Sequence, residues 1–146
     1  MRRVLLDTNV ILDVLLEREP FVADAATIWQ AVEDQAIQGY VTATTLTNIY
    51  YIAHKLKGST VARLAVSEIL ALMRVCAVND TVLRAALALP LADYEDAVQV
   101  ACALAADLEV IVTRDVEGFA SSPVQTIAPA EFLQSGGLRQ AALDLS

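Results

Sequence analysis

Four aspartates, Asp7, Asp93, Asp96 and Asp115, stand at the ends of elements rather than inside them. Asp7 closes the short run Arg3-Val4-Leu5-Leu6 and is followed at once by Thr8-Asn9; Asp115 follows Val110-Ile111-Val112-Thr113-Arg114; Asp93-Tyr94-Glu95-Asp96 opens a long apolar helix. Open α/β sheets place their ligands in the crevice outside the carboxyl ends of the strands, so acids released there are raw material for a divalent-metal site. Carboxylates gathered in one place repel, and burying them unpaired forces a proton on or destabilises the fold. A hard dication removes that penalty. Mg²⁺ or Mn²⁺ suits oxygen donors and retained waters, whereas one histidine and no cysteine spacing of the zinc kind leave zinc without support.

Each acid also has a structural role to fill. Asp7 and Asp93 are placed to cap helices, and Asp115 suits a strand-to-loop corner. Asp96, the fourth residue of its helix, needs no such role. What points to chemistry is the joint arrangement, with Asp7 and Asp115 leaving strands at one sheet edge.

The elements that must position these groups alternate. Arg3 to Leu6 reads as a strand, Asn9 to Glu17 as a helix, and Val22 to Gln35 as an amphipathic helix with Ala25, Ile28, Trp29 and Val32 at three-and-four spacing. Gly39 marks a turn before a strand from Tyr40 to Ala43, and Thr44 or Thr45 caps a helix from Leu46 to Leu56 that stops at Gly58. A helix over Val61 to Met73, a strand over Arg74 to Val78 and a short helix capped by Asp80 follow. Pro90 breaks the chain before a helix from Asp93 to Asp107; strands over Glu109 to Thr113 and Val124 to Ile127 precede a helix from Pro129 to Gln134. Strands separated by helices predict an α/β fold of one domain, three layers α/β/α around a central parallel sheet. That domain spans residues 1–134, and residues 135–146 form a tail opened by Gly136-Gly137.

The totals are consistent with this. The 146 residues suffice for one domain with a large core, and 56% apolar residues exclude a disordered chain. Asp7, Asp13 and Glu17 interrupt any leader-like apolar run, and no run is long enough to span a bilayer, so a cytoplasmic protein is expected. Cys76 and Cys102 sit in apolar stretches and read as core filler. The net charge of −8 disfavours nonspecific nucleic-acid binding. Bound cations would soften that, as would Arg2, Arg3 and Arg18 near the first acid and His54, Lys55 and Lys57 at the end of one helix.

The segments Asp7-Thr8-Asn9-Val10-Ile11-Leu12-Asp13, Asp93-Tyr94-Glu95-Asp96-Ala97 and Val112-Thr113-Arg114-Asp115, in this order and at these separations, resemble the PIN domain, and within it the VapC-like toxins of bacterial toxin–antitoxin pairs. The resemblance covers Arg2 to Leu133. It implies a small α/β/α nuclease that uses Mg²⁺ or Mn²⁺ to cut RNA, commonly as a homodimer and with an antitoxin partner. It matches Asp7, Asp96 and Asp115 to the family's first, third and fourth acidic ligands, with Asp93 as a further metal-site candidate.

Two departures stand out. The family's second acid, usually a Glu early in the helix after the second strand, falls at Asn48, which can bind through its carbonyl or hold a water but carries no charge and is no base. The acid that often follows the fourth ligand is absent, with Gly118 near its place; Asp93 and Glu117 are the acids at hand to compensate. On this reading Asp7, Asp96 and Asp115 hold metal, Asn48 and Thr113 orient water or phosphate, and Asn9 tethers the Asp7 loop or simply closes a turn. Arg114 contacts phosphate or is a solvated strand-end residue. Tyr50 and Tyr51 pack or stack a base. The substrate expected is single-stranded or looped RNA.

The alternative is a catalytically weakened module that keeps the fold to bind protein or RNA. A phosphoacceptor of the receiver type ranks last, since no lysine occurs beyond Lys57.

Overall fold

In the first strand, β1 (Arg2–Leu6), Val4 and Leu6 enter one apolar cluster and Leu5 enters another. This is the period-two alternation of a strand covered on both faces. The computed structural model describes residues 1–135; the tail expected over 135–146 lies, Ser135 apart, outside the described residues. After β1 come α1 (Thr8–Leu15), α2 (Val22–Glu33), β2 (Ile37–Thr42), α3 (Ala43–Lys57), α4 (Ser59–Leu72), β3 (Arg74–Cys76) and α5 (Asp80–Leu87). Then follow α6 (Tyr94–Ala105), β4 (Val110–Val112), a single 3₁₀ turn (Glu117–Phe119), β5 (Gln125–Ile127) and α7 (Pro129–Gln134).

The five strands lie in the order β3-β2-β1-β4-β5, and every pairing is parallel. One face packs Val4, Leu6, Val110 and Val112 against Ile11, Ile28, Ile49, Ile69 and Phe132, so α1 to α4 and α7 share that side. The other packs Leu5 and Ile111 against α5 and α6 through Val82, Ala86, Val98 and Cys102. The three-layer parallel fold expected from the alternating pattern is therefore present. Among the described residues no helix is long and apolar enough to cross a membrane.

Three local expectations are corrected. Gly39 lies inside β2, not in a turn: a Cβ there would come within 3.1 Å of Val32 and 3.4 Å of Met73, so its missing side chain lets helices close on the sheet. The cap of α3 is Thr42, which accepts from the Thr45 amide at 3.0 Å, so the helix starts three residues before Leu46. Asn79, rather than Asp80, caps α5 by accepting from Val82 N. Both caps sit where extended backbone turns helical, three or four residues ahead of the first apolar residue of the helix face. Gly58 ends α3 at φ 89°, a conformation that favours glycine.

The strand order reverses its winding between β1 and β4, and this switch point is where an open parallel sheet leaves a crevice. Leu6 pairs with Val112, so Asp7 and Thr113 leave the sheet side by side.

Candidate metal centre

Asp7 is buried, and three hydrogen bonds orient its carboxylate while leaving Oδ2 a further accepting direction. Oδ1 accepts from Thr8 N and from Gln99 Nε2, both at 2.7 Å, and Oδ2 accepts from Thr113 Oγ1 at 2.7 Å. It caps α1 as its position suggests, but it is also fixed by partners 92 and 106 residues away. The Thr113 hydroxyl accepts in turn from the Asp115 amide at 3.0 Å, tying Asp7 to the loop that carries Asp115. Thr113 is fully buried with that hydroxyl spent on protein groups, so it positions two acids instead of orienting water or phosphate.

Asp115 is exposed, and its Oδ1 accepts from Gly118 N at 3.2 Å. A Cβ on Gly118 would run into the Asp115 carboxylate, with Cγ only 3.0 Å away. The glycine at the place of the missing acid is thus a seat for the aspartate before it. Asp93 caps α6 by accepting from Asp96 N at 2.9 Å, which leaves Asp96 at the helix start with its own carboxyl free.

The electrostatics tie these groups together. The Asp96 carboxyl is pushed up to about 7, first by burial and then by the charges of Asp93, Asp7, Asp115 and Glu95. Glu95 is also raised, by burial foremost, then by Asp93 and Asp7, against the lowering effect of its hydrogen bond from Asn48. Strongly shifted acids in a cleft mark functional sites more often than not. Among the described residues no three His, Cys, Asp or Glu side chains are spaced to chelate one ion as they stand. That geometry still suits Mg²⁺, which keeps several waters and takes only one or two direct carboxylates. Two further observations fit such an ion. The donors that converge are all hard oxygens, and Gln99 Oε1, on a side chain 1% exposed beside Asp7, has no hydrogen-bond partner. Cys76 and Cys102 are buried in the core beside α6, with the Cys102 thiol pushed up to about 12 by burial.

Several expectations about neighbouring residues change. Arg114 is neither solvated nor facing phosphate: its Nε and one terminal nitrogen donate to the fully buried Asp13 at 2.7 and 3.2 Å, and its guanidinium lies 3.9 Å from the Phe21 ring centroid. Arg18 donates to the same carboxylate at 2.9 Å. Arg3 lies over Tyr40 and donates to the Ala106 carbonyl at the far end of β1, about 13 Å along the strand from Asp7. The bases near the first acid are therefore engaged in structure. Asn9 makes no tether; its Oδ1 is buried without a partner. Tyr51 is 72% exposed rather than packed, and Tyr50 stacks on His54 with centroids 5.7 Å apart.

Gln99 went unnoticed in the sequence, and Glu95 was quoted only as part of the Asp93-Tyr94-Glu95-Asp96 motif without a role. Gln99 stands at i+4 from Glu95 and i+3 from Asp96, on one face of α6. That spacing was the available signal. Asn48 Nδ2 donates to Glu95 Oε1 at 2.6 Å, linking α3 to α6.

Comparison with solved structures places this architecture. VapBC2 from Rickettsia felis bound to a promoter DNA fragment is similar with a TM-score of 0.66 at 12% identity, over 86% of this chain and 98% of that one. A toxin–antitoxin complex from Klebsiella pneumoniae gives 0.65 at 24% identity, over 86% and 97%. VapC20 from Mycobacterium tuberculosis, a toxin that cleaves the sarcin–ricin loop, gives 0.66 at 14% identity, over 80% and 93%. At these identities the likeness is one of fold. No curated protein matches by sequence. The family model of the PIN domain matches residues 3–117, which include Asp7, Asn48, Asp96 and Asp115, and the chain belongs to the PIN domain family.

Proposed function

We propose that the protein is a Mg²⁺- or Mn²⁺-dependent endoribonuclease that hydrolyses phosphodiester bonds in single-stranded or looped RNA, as the toxin of a toxin–antitoxin pair. The observation that carries this reading is the hydrogen-bond network that ties the buried Asp7 carboxylate to Gln99 of α6 and to Thr113, whose hydroxyl in turn holds the Asp115 amide. A net charge of −8, with Arg114, Arg18 and Arg3 committed to protein partners, would repel an RNA phosphate from this crevice. A cation held there reverses that repulsion.

Asp7, Asp96 and Asp115 are the residues that would hold the ion, with Asp93 near them at the start of α6. When bound, the ion supplies Lewis acidity and lowers the pKa of the attacking water. The protein's own part is orientation. Gln99 and Thr113 fix the Asp7 carboxylate, Gly118 seats Asp115, and the Asp93 cap presents Asp96.

Partner binding fits the exposed apolar side chains of α3 and α4, where Tyr51, Leu56, Leu64 and Leu70 are open to solvent. A second copy and an antitoxin are the partners in this reading, which the VapBC neighbours support by fold. The test is incubation of the purified protein with single-stranded RNA in Mg²⁺, Mn²⁺ or EDTA, beside Asp7→Asn and Asp96→Asn. Metal-dependent cleavage lost in both variants is expected, and cleavage that persists in either one refutes the assignment.

A second reading, a weakened module that acts by binding, is favoured by the uncharged Asn48 and by the lack of a ready three-acid chelate among the described residues. Intact RNA in every metal, with retained RNA or protein binding, would select it.

A further inference from the structure

We propose that Glu95 supplies, from α6, the carboxylate that α3 lacks, and that Asn48 is the positioning residue that holds it over the metal centre. This deepens the nuclease reading and rests on it. Asn48 sits on the helix after β2, and its amide donates to Glu95 Oε1 at 2.6 Å, the one side-chain hydrogen bond described between α3 and α6. A carboxylate on residue 48 would end within a hydrogen bond of where the Glu95 carboxylate stands. The negative charge is therefore kept at nearly the same point, on the opposite helix.

The chemistry of the pair supports the exchange. Two carboxylates at that separation would repel, whereas an amide donor beside one carboxylate satisfies it and fixes its rotamer. Asn48 uses Nδ2 on Oε1 and makes no bond to Oε2, which stays free to accept from a metal-held water or to bind an ion. Glu95 is exposed and stands directly before Asp96, one turn ahead of the Gln99 whose amide reaches Asp7. An independent pointer lies one turn further along the same helix face. The Gln99 amide reaches Asp7 Oδ1 at 2.7 Å, while its carbonyl oxygen, on a side chain 1% exposed, lacks any partner. A buried acceptor with nothing to accept from is what a hydrated cation would satisfy.

The other acids at hand are less suited. Asp93 spends Oδ1 on the Asp96 amide, and Glu117 lies on the exposed 3₁₀ turn with no side-chain hydrogen bond described.

The test measures Mn²⁺ affinity by the paramagnetic resonance of free Mn²⁺, with RNA cleavage in parallel, on the full chain. Glu95→Gln should weaken Mn²⁺ binding by roughly tenfold or more, within the range seen when groups that orient a metal site are lost. Moving the charge back with Asn48→Glu in the Glu95→Gln background should restore affinity to within about threefold, a rescue that a merely structural contact would not give. Asn48→Ala, which changes no charge and cannot fail through lost acidity, should weaken binding several-fold by releasing Glu95, and Glu117→Gln should leave it unchanged. Wild-type affinity in Glu95→Gln, or no rescue in the double variant, overturns this proposal and leaves the nuclease reading standing. Absence of Mn²⁺ binding by the wild-type protein overturns both.

Discussion

The Arg114 guanidinium is bound to Asp13 at 2.7 Å across 101 residues of chain, with Arg18 on the other side of the same buried carboxylate. Arg114 stands immediately before Asp115, so this clamp fixes the loop after β4 to α1. A buried carboxylate left with fewer partners is costly, since its desolvation is no longer compensated. Arg114→Ala should therefore lower stability by about 3 kcal/mol, which for a domain of this size lowers the melting temperature by roughly 10 °C. Arg114→Lys should recover only part of it, because an ammonium cannot form the paired contact. Thermal denaturation followed by circular dichroism checks both, and an unchanged melting temperature in Arg114→Ala would show that Arg18 suffices alone.

Asp96 gives the fold a pH dependence of definite sign. Its folded pKa, about 7, lies above the ordinary value of 3.8, so the folded state holds the proton more tightly than the unfolded state. Metal-free protein should lose stability as pH rises from about 4 to about 7, and Asp96→Asn should flatten that slope. Melting temperatures measured across this window in EDTA decide the matter. Saturating Mn²⁺ should also flatten the slope, because a cation relieves the repulsion that raises the carboxyl.

Asp7→Asn should separate activity from stability. Asparagine caps helices as well as aspartate does, and its amide can serve Thr8 and Thr113 after the hydroxyl turns. The melting temperature should stay within a few degrees of wild type, while RNA cleavage falls by more than about 100-fold, beyond what outer-sphere groups contribute. A large stability loss with proportionate activity loss would mean that Asp7 is only a cap.

Gly118→Ala tests the seat under Asp115. The added Cβ meets the end of an exposed, rotatable side chain, so the fold should tolerate it with a change under about 1 kcal/mol. The displaced carboxylate should still cost activity by about 10- to 100-fold, since small displacements at a reacting site carry that penalty. Equal activity in the variant would remove Asp115 from the set that holds the ion.

The sequence made the ends of β1 and β4 legible because a short apolar run closing on Asp is both a strand pattern and a chemical one. The parallel order followed from alternation of strands with helices. Caps were less legible: at Thr42 and Asn79 the capping side chain precedes the apolar face by three or four residues, and neighbouring Thr and Asp residues compete for the role. Gly39 was misread because a glycine needed for close helix approach looks like a turn glycine. The contacts of Arg114, and the link from Asn48 to Glu95, could not be read from local pattern at all. Their partners lie 101 and 47 residues away, and only the closed sheet brings them together.

The winding reversal between β1 and β4 makes the crevice depend on segments far apart in the chain. Asp7 and the Thr113 that orients it are 106 residues apart, and Asp115 follows on the same late loop. A polypeptide truncated before β4 keeps Asp7, Asp93 and Asp96 but lacks Thr113 and Asp115, and with them one wall of the crevice. The crevice is therefore complete only once that late strand has joined β1 in the sheet.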